Sequence, residues 1–251
     1  MEASRPTVLS IAGFDPCAGA GLLADIKTFE QHKVYGLGIS TAQTVQTEDK
    51  FFAIRWEDEK DMLQSLEIML LRYAVRAIKI GIVKNINALE KITSFIHQKN
   101  NTIKIVIDPV ISSSSGFGFW NGEMSETLLF EALSKTFLIT PNYNEAMHLF
   151  PSANPKEASR KLAAYSNVLL KGGHNPDDPG ADYLFSKNKT ERLDAVSTAV
   201  TAKHGSGCVL SAAITANLAL GFDLVDACKN AKIYTEQFLN SNKTLLGYHH
   251  V

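Results

Sequence analysis

The chain has 251 residues, 45% of them hydrophobic and 20% charged, with a formal net charge of -1. That length can bury one large core, and so small a charge excludes a strong field that would gather nucleic acid or an anionic membrane. No run of about 18 apolar residues predicts a membrane span, the N-terminal residues lack the parts of a signal peptide, and three cysteines without metal-ligand spacing read as free thiols of a reducing cytosol.

Short apolar runs alternate with longer helical patterns. Thr7 to Ala12 predicts a buried strand, Gly21 to Lys33 a helix with Leu22, Ile26 and Phe29 on one face, and Val34 to Thr41 a second strand. Phe51 to Trp56 reads as an edge strand and Asp58 to Tyr73 as a helix. Ala77–Ile82, Ile103–Asp108, Phe137–Thr140 and Val168–Lys171 read as strands. Between and beside them, Asn85–Lys99, Glu123–Ser134, a segment from Asn144 and Pro155–Ala164 read as helices. Asp182–Ser186 and Thr190–Asp194 form a hairpin pattern, and two long helices, Ser206–Leu220 and Leu224–Leu239, follow. The alternation predicts an α/β fold, a mostly parallel sheet covered on both faces with a small edge hairpin. In such sheets ligands bind beyond the carboxyl ends of the strands. Asp15, Lys79-Gly81, Asp108, Asn142 and Lys171-His174 stand at or just past those ends.

Two glycine clusters carry the chemistry. Lys203-His204-Gly205-Ser206-Gly207-Cys208 opens the first of the long helices. Glycines permit tight turns and close backbone approach, and a helix start offers free N–H groups to phosphate or to developing charge. A thiol there is a candidate base, because a helix N-terminus can bring a cysteine pKa down to roughly 3.5–7.5. The alternative for Cys208 is a small core residue. The other cluster, Gly13 to Gly21, joins the first strand to the first helix. Its Gly19-Ala-Gly21-Leu-Leu-Ala24 matches the dinucleotide fingerprint by letter only, since Gly13 to Ala18 intervene before the first glycine.

The run from Ser10 to Thr28, Thr41-Ala-Gln-Thr-Val-Gln46, Lys79-Ile-Gly81, Asp108-Pro-Val110, Ile139-Thr-Pro-Asn-Tyr-Asn-Glu145, Lys171-Gly-Gly-His174 and His204-Gly-Ser-Gly-Cys208 occur in one order over about residues 7 to 240. Together they resemble the hydroxymethylpyrimidine/phosphomethylpyrimidine kinases of thiamine biosynthesis, in the ribokinase-like superfamily. The resemblance implies a single three-layer α/β/α sandwich over residues 1–251, with no further thiamine-pathway domain. It also implies ATP with Mg²⁺ as phosphoryl donor, and hydroxymethylpyrimidine and its monophosphate as acceptors. A cytoplasmic homodimer is expected, with no nucleic-acid or membrane partner.

Residue by residue, the resemblance gives Cys208 as base and Gly205, Ser206 and Gly207 as donors to the transferred group. The wider superfamily usually carries aspartate at the Cys208 position. Gln46 would bond the pyrimidine, and Gly13, Ala20, Ile82 and Val110 would line its pocket. Asp25 either anchors substrate or faces water on the first helix. Glu145 would hold Mg²⁺ through water, and Lys171, Asn142 and Gly172 would meet the nucleotide. Asn144 equally reads as a helix N-cap. Lys79 reads either as a second lysine for nucleotide phosphates or as a solvated lysine beginning a loop, Cys17 and Cys228 read as structural, and Ser112–Gly116 as a mobile flap. The family usually shows Ser-Gly-Gly-Ala-Gly where this chain has Cys17-Ala18-Gly19-Ala20-Gly21, so Ala18 is strained if its φ is positive. A pyridoxine/pyridoxal kinase is the alternative within the fold. A ligand-binding protein without turnover is the alternative of another class.

Overall fold

The computed structural model describes residues 5–112, 116–120, 124–175, 178–187, 189–197 and 200–249. Among them a nine-stranded sheet runs in the order β3-β2-β1-β4-β5-β6-β7-β8-β9. Its strands are β1 (Thr7–Phe14), β2 (Tyr35–Gln46), β3 (Phe51–Trp56), β4 (Val75–Ile80), β5 (Lys104–Ile107), β6 (Leu138–Ile139), β7 (Asn167–Leu170), β8 (Asp182–Ser186) and β9 (Lys189–Leu193). The six strands from β2 to β7 in that order are parallel, whereas β3 at one edge and the β8–β9 hairpin at the other are antiparallel.

The side-chain period of two sends neighbours to opposite layers. Leu9, Ile78, Ile80, Ile105 and Ile107 pack beneath α2 (Glu59–Arg72), α3 (Ile86–Lys99), α4 (Glu126–Ser134), α5 (Tyr143–Leu149) and α6 (Pro155–Leu162). Val8, Ala77, Val106 and Leu169 face the other way, onto α1 (Gly21–Gln31), α7 (Ser206–Leu220) and α8 (Leu224–Leu239). The result is the expected α/β/α sandwich. Helix α7 is buried from Val209 to Ala219 on every side, as an apolar helix at the centre of a layer must be. Glycines fix both of its ends, Gly205 at φ 76° and Gly221 at φ 98°.

Several boundaries differ from expectation for local reasons. β2 runs on to Gln46 because β3 pairs with it from Ala42 onward. The N-cap of α5 is Asn142, not Asn144: its side chain accepts from the Glu145 N–H while the Glu145 carboxylate accepts from the Asn142 N–H. α4 begins at Glu126, capped by Ser125, and the expected start at Glu123 lies outside the described residues. So do Ser113 to Ser115 of the expected flap. No helix among the described residues is long and apolar enough to cross a membrane.

Candidate active site

The β1–α1 loop is organised by one carboxylate. Asp15 accepts hydrogen bonds from the N–H groups of Cys17 (3.0 Å), Gly19 (3.1 Å) and Ala20 (2.8 Å), and from His204 Nε2 (3.1 Å). Burial alone would raise its pKa, but the His204, Cys17 and Ala20 hydrogen bonds outweigh that and hold the carboxyl at about 2. The Cys17 thiol also donates to Asp15, and burial together with that carboxylate pushes it up to about 11. Ala18 does sit at a positive φ, 57°. A non-glycine residue there costs about 1–2 kcal/mol.

The two glycine clusters meet. A Cβ on Gly205 would fall 2.0 Å from the Gly19 carbonyl oxygen, and one on Gly21 2.3 Å from that of Gly13. Only glycine allows this approach, and it brings the start of α7 against the start of α1. Cys208 lies in the seam, partly open to the cleft, with the Gly21 N–H directed at its sulfur. The expected fall in its pKa is not found. Burial pushes the thiol up to about 11; Lys79 opposes this, while Asp108 and Asp25 add to it. Two helix starts and a lysine favour the thiolate, yet desolvation beside two carboxylates keeps the resting sulfur protonated.

Two lysines at strand ends flank that sulfur. Lys79 is not the solvated loop lysine that one reading expected: it is fully buried and holds both oxygens of Asp25 at 2.8 and 2.9 Å. Burial opposes its charge, but Asp25 more than restores it and raises the lysine above its usual range. Asp25 therefore neither anchors substrate nor meets water. It is fully buried, with Ser10 Oγ donating to it at 2.5 Å, and it does not line the cleft. Burial pushes its pKa up, while Lys79 and Ser10 favour its ionised form.

Lys171, just past β7, is 2.8 Å from Asp108 and 3.5 Å from Glu145. Burial works against charge on Asp108, but Lys171 and Lys79 hold that carboxyl below the usual range. Glu145 is pushed up by burial, with Lys171 pulling the other way. Gly207 opens toward this group: a Cβ there would lie 3.3 Å from Lys171 Nζ and 3.6 Å from Asp108 Oδ2.

These elements surround one cleft of about 610 Å³. Gly205, Ser206, Gly207 and Cys208 line it together with Lys171, Asn142 and Glu145. Gly13, Ala20, Gln46, Ile82 and Val110 line it as well, and Gln46 donates to Thr44 Oγ1 at 2.9 Å. Gly172 does not. Its N–H is committed to Asp182 and its Cα is pressed on the Ala181 backbone, so Gly173 lines the cleft in its place. Sequence reasoning missed the Asp15–His204 pair, the aromatic wall of Phe51 and Phe119, and Lys232, which bonds Asp182 at 2.9 Å. Each depends on pairings between distant segments, and only the strand-end position of Asp15 gave a signal.

The chain is similar to known proteins along most of its length. The family described as phosphomethylpyrimidine kinase matches residues 15–251. The hydroxymethylpyrimidine/phosphomethylpyrimidine kinase of Aquifex aeolicus is 34% identical, over 96% of this chain and 97% of that protein. The crystal structure of phosphomethylpyrimidine kinase from Clostridium difficile superposes with a TM-score of 0.78 at 32% identity, covering 92% of this chain and 98% of that one. The pyridoxal kinase of Staphylococcus aureus in complex with AMP-PCP gives 0.79 at 26%, covering 95% and 89%. The chain belongs to the phosphomethylpyrimidine kinase family: it is a kinase built on the ribokinase-like fold.

Proposed function

We propose that this chain transfers the γ-phosphoryl group of ATP to the hydroxymethyl oxygen of 4-amino-5-hydroxymethyl-2-methylpyrimidine, and then a second phosphoryl group to the resulting monophosphate. The observation that carries this reading is Cys208 at the start of α7, facing the first glycine loop inside the cleft and flanked by Lys79 and Lys171. The full-length identity to pyrimidine kinases supports that acceptor over pyridoxal.

Each part of the cleft has a task in this chemistry. Gly13, Ala20, Ile82 and Val110 offer a wall for a flat ring, and the Gln46 amide offers a donor and an acceptor to its polar edge. In the first step Cys208, once its thiol proton has been released to water, takes the proton of the acceptor hydroxyl as that oxygen bonds to Pγ and the bond from Pγ to the ADP oxygen breaks. The N–H groups at the α7 start meet the charge spread over the transferred group. Lys171 clamps the nucleotide phosphates. Asp108 and Glu145, which both line the cleft, would hold magnesium, Glu145 through water. When bound, the metal neutralises phosphate charge.

In the second step the acceptor is a phosphate oxygen that is already ionised. No proton need be removed, so Cys208 matters far less there.

Mass spectrometry of products with ATP and Mg²⁺ tests both steps. Wild type should yield mono- and diphosphorylated pyrimidine. Cys208→Ser should lose about 10²–10⁴-fold in the first step and much less in the second. Phosphorylation of pyridoxine alone would move the acceptor to the vitamin B6 series, and binding without turnover would mean a ligand-binding scaffold. The homodimer and cytoplasmic location implied by the resemblance belong to the same proposal, and light scattering reads the former.

A further inference from the structure

At the outer end of the seam between the two glycine loops, three different donor types converge. Asp15, Cys17 and His204 each present one ligand atom, and these atoms lie within 4.8 Å of one another. Cys17 Sγ is 3.0 Å from Asp15 Oδ1, and His204 Nε2 is 3.1 Å from Asp15 Oδ2. Around a tetrahedral zinc ion, bond lengths of about 2.0–2.3 Å place neighbouring ligand atoms about 3.3–3.5 Å apart. Asp15 Oδ2 is 3.1 Å from both Cys17 Sγ and His204 Nε2, within a few tenths of an ångström of those separations, and the sulfur and the ring nitrogen lie within 4.8 Å of each other.

The chemistry of the set selects the ion. A thiolate and an imidazole are poor ligands for magnesium and good ones for zinc or cobalt. Carboxylate plus thiolate carry two negative charges, which balance a dication in a largely buried place. His204 also has a free nitrogen, since its buried Nδ1 has no hydrogen-bond partner. The ring is therefore held from one side only, by Asp15. This donor set is separate from Asp108 and Glu145, which carry the nucleotide metal in the proposed reaction.

We propose that Asp15, Cys17 and His204 form a three-ligand site for zinc or a similar borderline-soft divalent ion, with a fourth position open to water. The ion replaces the thiol proton of Cys17, the His204 proton moves from Nε2 to the unpartnered Nδ1, and the ion cross-links the β1–α1 loop to the segment before α7.

The test uses the full chain without nucleotide. Titration with Co²⁺ should give a thiolate-to-cobalt charge-transfer band at one equivalent. Zn²⁺ at a hundredfold excess over its Kd should raise Tm by about 5–10 °C. Both signals should vanish in Cys17→Ser, whose hydroxyl keeps the hydrogen bond to Asp15 and the fold, and should survive in Cys208→Ser. Absence of the band in wild type, its persistence in Cys17→Ser, or its loss in Cys208→Ser would each overturn the site.

Discussion

Lys79 and Lys171 both stand at the carboxyl end of a parallel strand, and both neighbour Cys208, yet they are set for different tasks. Lys79 is closed off: its side chain has no exposure, and Asp25 takes up its charge on both oxygens. Lys171 keeps 15% of its side chain open to the cleft and is shared unequally between Asp108 and Glu145. A fully enclosed ion pair is expensive to bury and adds little net stability, so its value lies in a fixed positive charge near the thiol. A partly open lysine with two carboxylate partners can exchange one of them for a phosphate. The same residue type in the same topological place becomes a fixed field in one case and a working clamp in the other.

Breaking the closed pair should give the largest effect. Lys79→Met leaves Asp25 as an unpaired buried charge, with an expected loss of about 3–5 kcal/mol in denaturant unfolding. The folded-state pKa of that lone carboxyl is raised, so the loss should be small below the ordinary carboxylate pKa and grow as pH rises above it. The Lys79→Met/Asp25→Leu double variant should recover most of the stability. A Lys79→Met protein as stable as wild type at neutral pH would mean the pair is not a pair.

Opening the other end should act on rate. Lys171→Ala should lower kcat/KM by about 10²–10³-fold, the usual cost of losing one donor to developing charge. Its effect on unfolding should be smaller than that of Lys79→Met, because Asp108 keeps the charge of Lys79 nearby and the space vacated by Lys171 opens to the cleft. Equal losses of stability in the two variants would erase the contrast.

The smallest effect tests the loop that carries Asp15. Ala18→Gly relieves the positive φ, 57°. It should stabilise the protein by up to about 1 kcal/mol, partly offset by the greater freedom of glycine in the unfolded chain. A destabilised variant would show that the Ala18 methyl has a packing role.

The sequence was most legible where local signals suffice. The limits of α7 and α8 match expectation to the residue, because Gly205, Gly221 and Asp223 mark helix ends by their own chemistry. The glycine and cysteine positions at the cleft were legible for the same reason. What stayed hidden depends on residues far apart in the chain. Lys79 looks solvated until β4 is laid beside β1 and Asp25 comes over from α1, 54 residues away. The His204–Asp15 bond joins residues 189 apart. The raised pKa of Cys208 has the same origin. A helix start and a thiol are visible in sequence, but the desolvation and the two carboxylates that outweigh them arrive only with the tertiary structure.

The claim on which the account turns is that Cys208 is the base and rests protonated, with Lys79 nearby to stabilise its ionised form. The pH dependence of kcat/KM for the first phosphorylation measures this directly, since it reports groups of the free enzyme. The thiolate fraction grows as pH climbs toward about 11, so wild-type kcat/KM should rise steadily between pH 7 and 10. In Cys208→Asp, whose carboxylate is ionised across that interval, the rise should be absent. A flat wild-type profile, or the same rise in both proteins, would contradict the assignment of Cys208 as base.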